Sequence, residues 1–80
     1  MNKGTYRTGN LNVAAAMFST GKEYLGTDTV GKKVFLIFNN AEECFETEKQ
    51  FMSGNLLVDA LSYADNIYHA RSIVLNITKQ

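Results

Sequence analysis

The sequence predicts an α+β domain, with the order helix, β-hairpin, helix, short strand, helix and the helices packed on a small antiparallel sheet. Two observations predict this class. Three segments repeat apolar residues at helical spacing, and one segment rich in β-branched and aromatic residues turns at a glycine. The 80 residues are enough for one domain and too few for two. We therefore expect a single domain over 1–80, with an ordered core over about 6–77.

The first helix is predicted over residues 9–20. Thr8 is the expected N-cap, because its hydroxyl can accept a free backbone N–H of the first turn. Gly21 stands where a helix commonly ends on a residue in the left-handed conformation. One apolar face is expected, formed by Leu11, Ala14, Ala15 and Phe18.

A β-hairpin is predicted next, with strands over 23–27 and 33–38 and Gly31 in the turn. Side chains alternate across a strand, so Val34, Leu36 and Phe38 point to one side of the second strand, and Phe35 and Ile37 to the other. Both sides are apolar. This strand should therefore be covered on both faces, lie centrally, or lie at an interface.

The second helix is predicted over 41–53, with Asn40 as N-cap and Glu43 three residues later in a capping-box arrangement. Early glutamates suit the positive end of the helix dipole. The expected apolar face consists of Ala41, Cys44, Phe45, Phe51 and Met52.

Residues 55–58 are short and apolar and could form a third, edge strand. Asp59 should then cap the longest helix, over 60–76. Tyr68 and Leu75 are expected toward one flank of this helix. Its apolar face is expected to consist of Tyr63, Ala64, Ile67, Ala70, Val74 and Ile77.

The charges balance, with eight basic and eight acidic residues, so net charge provides no general attraction to nucleic acid or to an anionic membrane. No apolar run approaches the ~20 residues of a membrane span. The N-terminus has no signal-peptide core, which predicts a cytoplasmic protein. These totals leave enzymes, binding domains and regulators open.

A set of core and turn residues is spaced along most of the chain. It consists of Tyr6-Arg7-Thr8, Leu11, Ala14-Ala15, Gly21 and Leu25 at the start, Gly31, Val34, Phe35 and Phe38 in the hairpin, the segment 51–58, and Tyr63 and Ile73 in the last helix. This set resembles a small family of unknown function found mainly in bacteriophages and integrated mobile elements. The resemblance spans about 6–77, and it implies a phage or mobile-element origin and no catalytic residues.

No catalytic, metal or cofactor site is predicted. Cys44 is the only cysteine and His69 the only histidine, and they lie far apart along the chain, which disfavours a zinc site. Asp65 could orient His69 from one turn away, but no nucleophile can be placed beside them. Cys44 is expected on the apolar side of its helix, where a thiol behaves as a small hydrophobe. We therefore expect a non-enzymatic protein.

Binding to another protein is the leading hypothesis, with inhibition of a host or defence component as one form of it and a homo-oligomer as a further expectation. The phage-type resemblance and the doubly apolar strand motivate it. Aromatic and apolar anchors are typical of interfaces, and an acidic patch could dock on a basic protein surface. The candidate residues are Glu42, Glu43, Glu46, Phe35, Ile37 and Tyr68.

The alternative hypothesis is a small nucleic-acid-binding regulator. Lys32 and Lys33 lie beside the hairpin turn and Lys22 at the start of the hairpin, and lysines on a β-wing can contact phosphates. Zero net charge weakens this alternative, because such binding is driven by phosphate contacts.

Overall fold

The computed structural model describes residues 4–78, which form three helices and one three-stranded antiparallel sheet. The predicted α+β class, with helices packed on a small sheet, is confirmed. The elements, in chain order, are β1 (Thr5–Thr8), α1 (Leu11–Ser19), β2 (Tyr24–Val30), β3 (Lys33–Asn39), α2 (Ala41–Met52) and α3 (Ala60–Thr78).

The third strand of the sheet is β1, which the sequence analysis did not predict. The order across the sheet is β1-β3-β2, with Tyr6 paired to Phe38 and Thr8 to Leu36. The expected strand over 55–58 is wrong, since that segment has no strand structure. Because β3 lies between β1 and β2, the prediction that this doubly apolar strand could be central is confirmed.

The hairpin of β2 and β3 turns through Gly31 and Lys32, as expected. Val30 pairs with Lys33, and Gly31 has φ 62°. A two-residue loop with a positive φ at its first position matches the right-handed twist of the strands, which explains the glycine. A bulge between Tyr24 and Gly26 shifts the register near the start of β2.

On β3, the predicted alternation of side chains is confirmed. Val34, Leu36 and Phe38 are buried under the helices, whereas Phe35 and Ile37 are half-buried on the opposite face. Within residues 4–78, the helices pack on one face of the sheet only. The other face, which we call the outer sheet face, is formed by residues 5 and 7 of β1, 26, 28 and 30 of β2, and 33, 35, 37 and 39 of β3.

Helix α1 begins later than predicted, because Asn10 rather than Thr8 is its N-cap. The Asn10 side chain accepts from the backbone N–H groups of Asn12 and Val13 at 2.9 and 3.3 Å. Thr8 is the last residue of β1 instead. The predicted apolar face packs on the core, since Ala14 and Ala15 are buried and Leu11 and Phe18 pack against the core, and burial extends to all of residues 13–17. The C-terminus is as expected, with Gly21 at φ 75°.

Helix α2 has the predicted N-cap, since the Asn40 side chain accepts from the backbone N–H of Glu43 at 3.3 Å. Its predicted apolar face is partly wrong. Cys44 is buried, but Phe45 and Met52 are exposed. The second buried residue of α2 is Thr47, one turn after Cys44.

Helix α3 is capped by Asp59 as predicted, with the Ser62 N–H donating to its carboxylate at 2.9 Å. It packs mainly on α1. Ala70 is buried as expected, whereas Ala64, assigned to the same face, is exposed. Among residues 4–78, no helix has both the length and the apolar character needed to cross a membrane.

The core lies between the sheet and the helices. Phe38, Met17, Leu36, Val13 and Cys44 are its largest fully buried side chains. Phe18 packs edge-on against Phe38, with ring centroids 5.1 Å apart. In the part of the chain that the structure describes, every buried side-chain nitrogen or oxygen has a hydrogen-bond partner.

Candidate protein-binding surfaces

Helix α3 carries a second apolar stripe on the side that faces solvent. Leu61, Tyr68 and Leu75 are 78%, 68% and 48% exposed, and Ala64 is also exposed. Leu57, just before the helix, is 95% exposed. We call Leu61, Ala64, Tyr68 and Leu75 the outer stripe of α3.

The spacing of these residues explains the stripe. Leu61, Tyr68 and Leu75 repeat every seven residues, which is about two helical turns, so they share one side of the helix. Ala70 comes two residues after Tyr68 and therefore points to the opposite side, into the core. A surface helix normally has polar residues opposite its packed face. Helix α3 carries apolar side chains on both sides, although Arg71 and Ser72 interrupt the outer stripe between Tyr68 and Leu75.

The outer sheet face is the second apolar surface. Phe35 and Ile37 occupy its centre, and Val30 at its end is exposed. Antiparallel sheets that face water on one side usually alternate apolar and polar residues. Two neighbouring apolar side chains on the solvent side of the central strand depart from that pattern.

Charged side chains partly cover Phe35. Arg7 on β1 reaches across β3, and its guanidinium donates to the Asp28 carboxylate on β2 at 2.8 Å. The Arg7 Cζ lies 5.2 Å from the centroid of the Phe35 ring, and the Lys33 Nζ lies 5.7 Å from it. The sequence analysis missed this arrangement, because it did not place Arg7 on a strand.

The acidic candidates lie on α2. Glu42, Glu43 and Glu46 are exposed, and the first two lie in the first turn, next to the positive end of the helix dipole. Glu48 is different, since its carboxylate accepts a hydrogen bond from the buried Tyr6 hydroxyl. Burial, followed by this carboxylate, raises the pKa of Tyr6 well above its usual range.

The lysines of the alternative hypothesis are divided between two ends of the hairpin. Lys22 precedes β2, and Lys32 and Lys33 lie at the turn that follows it. Seven residues of strand separate them, which corresponds to about 20 Å. Lys33 has Arg7 as a neighbouring cation, because both side chains lie over the ring of Phe35.

The two residues with catalytic potential lie on different helices, Cys44 on α2 and His69 on α3. Burial raises the pKa of the Cys44 thiol, and nearby Lys22 only partly opposes this shift. The thiol lies 3.4 Å from the Asn39 carbonyl oxygen, to which it donates. His69 is exposed, and its ring packs edge-on against Phe18 with centroids 4.7 Å apart.

A shallow groove of about 390 Å³ lies between the hairpin turn and the end of α3. Lys32 is its one ionisable side chain among the residues that line it, and Val34 and Ile77 form its apolar wall. No group of three or more histidine, cysteine, aspartate or glutamate side chains within 4–78 could hold a metal ion. The described lining residues of the groove offer a cation and an apolar wall but no acid–base pair.

The predicted protein-binding residues lie on three different surfaces. Tyr68 belongs to the outer stripe of α3, Phe35 and Ile37 to the outer sheet face, and the three glutamates to α2. Sequence reasoning missed Leu61 and Leu57, although the seven-residue spacing of Leu61, Tyr68 and Leu75 was visible in the sequence. Comparisons with protein-family models, with curated proteins and with solved structures give no match.

Proposed function

We propose that this chain is a non-enzymatic protein-binding domain, whose partner docks on the outer stripe of α3. The observation that carries the proposal is the exposure of Leu61 and Tyr68 on a helix whose opposite side is already packed on α1. Contiguous exposed apolar side chains on a small protein mark interaction sites. Tyrosine is enriched among the residues that dominate binding energy.

The stripe also suggests the form of the partner. Apolar residues that repeat every seven positions form the seam by which two helices pack at a shallow angle. Ala64, between Leu61 and Tyr68, is small enough for a helix backbone to approach closely. An amphipathic helix of another protein fits this surface, with its apolar side chains on either side of Tyr68.

The resemblance to phage and mobile-element proteins supports a narrower form of the proposal. An accessory protein of such an element would act on a host or defence component. Exposed glutamates at the start of α2 would add attraction to a basic partner at close range, with an effect that salt reduces.

The experiment is affinity capture from a host-cell lysate, with quantitative mass spectrometry, of three forms of the protein. The double variant Leu61→Ser/Tyr68→Ser removes the anchors, and Asp65→Asn/Asn76→Gln changes exposed polar residues on the same helix as a control. The wild type and the control should capture the same partner. The amount of that partner captured by the double variant should be at least tenfold lower. Equal capture by all three forms, or recovery of chaperones alone, would contradict the proposal.

Nucleic-acid binding is the competing hypothesis, and the cation pair beside Phe35 is the feature that favours it. A single-stranded nucleic acid can stack bases on a sheet aromatic and place phosphates near cations. Gel shifts at two salt concentrations, with Arg7→Ala/Lys33→Ala as the variant, separate the hypotheses. A salt-dependent shift lost in this variant would favour nucleic acid over the protein partner.

A further inference from the structure

The outer stripe of α3 is symmetric about Tyr68 in its residue types. Leu61 lies seven residues before Tyr68 and Leu75 seven residues after it, and both leucines are exposed. The small residues Ala64 and Ser72 lie four residues before and four residues after Tyr68, and both are exposed. The stripe therefore has the same order of large and small side chains from either end.

The charges beside the stripe change sign about the same residue. Asp65 lies three residues before Tyr68 and Arg71 three residues after it, and both are exposed. At about 100° per residue, the two charges lie on opposite flanks of the stripe. Among residues 4–78, the one ion pair joins Arg7 to Asp28, so Asp65 and Arg71 have no ionic partner in that part of the chain. Each is available to a charge on another molecule.

A second copy of α3 matches both features. We infer that two copies of the chain associate through their outer stripes, with the two α3 helices antiparallel and a twofold axis beside Tyr68. This dimer rests on the proposed function, because it uses the same stripe, and it names one helix that binds there. An isologous contact needs a surface that is complementary to itself, and the symmetry about Tyr68 provides one.

The antiparallel arrangement places each residue level with its counterpart on the other side of Tyr68. Leu61 of one copy lies level with Leu75 of the other, and the two Tyr68 rings lie side by side at the centre. Ala64 and Ser72 leave space next to each ring, because both are small. Two leucine layers and one tyrosine layer form the apolar contact, and helices that cross at a shallow angle keep all three layers in contact.

The charges favour the antiparallel pair over a parallel one. In the antiparallel pair, Asp65 of one copy lies level with Arg71 of the other, whereas the two Asp65 residues are about 9 Å apart along the helix axis. The nearest charges across the contact are therefore unlike. In a parallel pair each residue would lie level with itself, so Asp65 would face Asp65 and Arg71 would face Arg71. Like charges opposite each other lower affinity.

The stripe is small, which predicts a weak dimer. From Leu61 to Leu75 it extends over about 21 Å, and its width is that of one helix, about 10 Å, so its footprint is about 200 Å² per copy. This is below the area of a stable interface. We expect a dissociation constant above about 10 µM. A different protein that binds the stripe more tightly would displace the second copy, because both contact Leu61 and Tyr68. Lysate capture is performed far below this concentration, so the dimer does not affect it.

Charge-swap variants test the arrangement without removing an apolar contact. Asp65→Arg places two arginines level with each other across the pair, and Arg71→Asp places two aspartates there. Each single variant should raise the dissociation constant about tenfold. The double variant Asp65→Arg/Arg71→Asp makes the level charges unlike again and should restore the dissociation constant to within about threefold of the wild type.

Analytical ultracentrifugation over about 10–1,000 µM brackets the expected affinity. The measurements are made at low ionic strength, because salt screens exposed charges. Circular dichroism shows whether each variant is folded. Leu61→Ser/Tyr68→Ser removes the apolar layers and should abolish the dimer.

A nuclear Overhauser effect between the Leu61 and Leu75 methyl groups reports the direction of the helices. Within one α3 helix these residues are about 21 Å apart, too far for such an effect. In the antiparallel dimer they are level, so the effect should appear at concentrations where the protein dimerises. A mixture of isotope-labelled and unlabelled protein shows that the effect arises between two copies.

Four results would each overturn the dimer: a wild type that stays monomeric across this range, single charge variants that dimerise like the wild type, a double charge variant that stays monomeric, or a dimer without the effect between Leu61 and Leu75. The proposed function fails separately. A monomeric wild type that captures a partner would remove the dimer and leave that function standing. A dimer that captures only chaperones from the lysate would do the reverse.

Discussion

Two residues have roles that ordinary sequence patterns do not show. The ring of Tyr6 is buried in the core. Its hydroxyl donates a hydrogen bond to Glu48 on α2, which links β1 to that helix. Asn40 caps α2 while adopting a left-handed conformation with φ 68°. Each of these residues meets two structural requirements at once, burial and a hydrogen bond for Tyr6, and a cap and a left-handed backbone for Asn40. Substituting either residue should therefore lower the free energy of unfolding.

The raised pKa of Tyr6 predicts a loss of stability in alkaline solution. In the unfolded chain, tyrosine releases its proton near pH 10. The folded chain retains the proton to higher pH, because burial and Glu48 disfavour the phenolate. The unfolded state therefore binds fewer protons above about pH 10, and stability should fall as pH rises through that range.

The variant Tyr6→Phe tests this contribution by urea unfolding between pH 7 and pH 11. It should lose about 1 kcal/mol at pH 7, because the Glu48 carboxylate loses its donor. Its stability should then fall less steeply than that of the wild type above pH 10. Some decline should persist, since burial also raises the pKa values of Tyr24 and Tyr63. Parallel pH curves for the two proteins would contradict this role for Tyr6.

Asn40 offers a comparison between two small substitutions. Asn40→Ala removes the capping oxygen and places a β-carbon in the left-handed region, at a combined cost of about 2 kcal/mol. Asn40→Gly removes the cap but adopts that backbone conformation easily, so it should cost less than about 1 kcal/mol. Thermal unfolding should rank the wild type first, then glycine, then alanine. An alanine variant as stable as the glycine variant would show that the backbone conformation carries no strain.

At the scale of the element, the sequence predicted every helix but only part of the sides that they bury. Helical spacing marks apolar residues that can share a face, and it does not say which of two apolar faces packs. On α2 the core takes Cys44 and Thr47 and leaves Phe45 exposed. On α3 the core takes Ala70, whereas Tyr68 and Leu75, predicted toward a flank, lie on the outer side.

Strand β1 was not predicted, for a different reason. It has four residues, and its partner strand lies about 30 residues later, so its stability comes from pairing with Leu36–Asn39 rather than from local preference. The alternation of Thr5 and Arg7 outward with Tyr6 and Thr8 inward was the available signal. Thr8 also resembled a helix cap, and the stronger cap at Asn10 takes that role.

Two alanines of α3 test which side of the helix is packed. Ala70 is buried, so Ala70→Leu should overpack the core and cost about 1–3 kcal/mol. Ala64 is exposed, so Ala64→Leu should change stability by less than about 0.5 kcal/mol. Urea unfolding of both variants measures the difference. Equal losses would mean that the outer stripe is packed against the chain itself.

At the scale of the whole molecule, a small domain has too little interior for all of its apolar residues. A chain of this length buries only about 60% of its unfolded surface. Here the helices cover one face of the sheet, and α3 covers α1. Some of the remaining apolar residues lie on the outer sheet face and on the outer stripe of α3, and others, such as Phe45 and Met52 of α2, are exposed elsewhere.

This layering explains which parts of the candidate site could be predicted from the sequence. Phe35, Ile37 and Tyr68 were identified as surplus apolar residues, which residue type and strand alternation can show. Their separation onto opposite sides of the molecule depends on how α3 packs on α1. That long-range contact has no signature in the spacing of either helix.

The most direct measurement of the central claim is solvent paramagnetic relaxation of methyl groups in the isolated protein, at a concentration where it is monomeric. The soluble paramagnetic probe should relax the Leu61 and Leu75 methyls strongly and the buried Leu36 methyls weakly, because the chain itself leaves the outer stripe of α3 uncovered. If the Leu61 and Leu75 methyls were protected as well as those of Leu36, α3 would have no free apolar face, and the proposed binding surface would not exist.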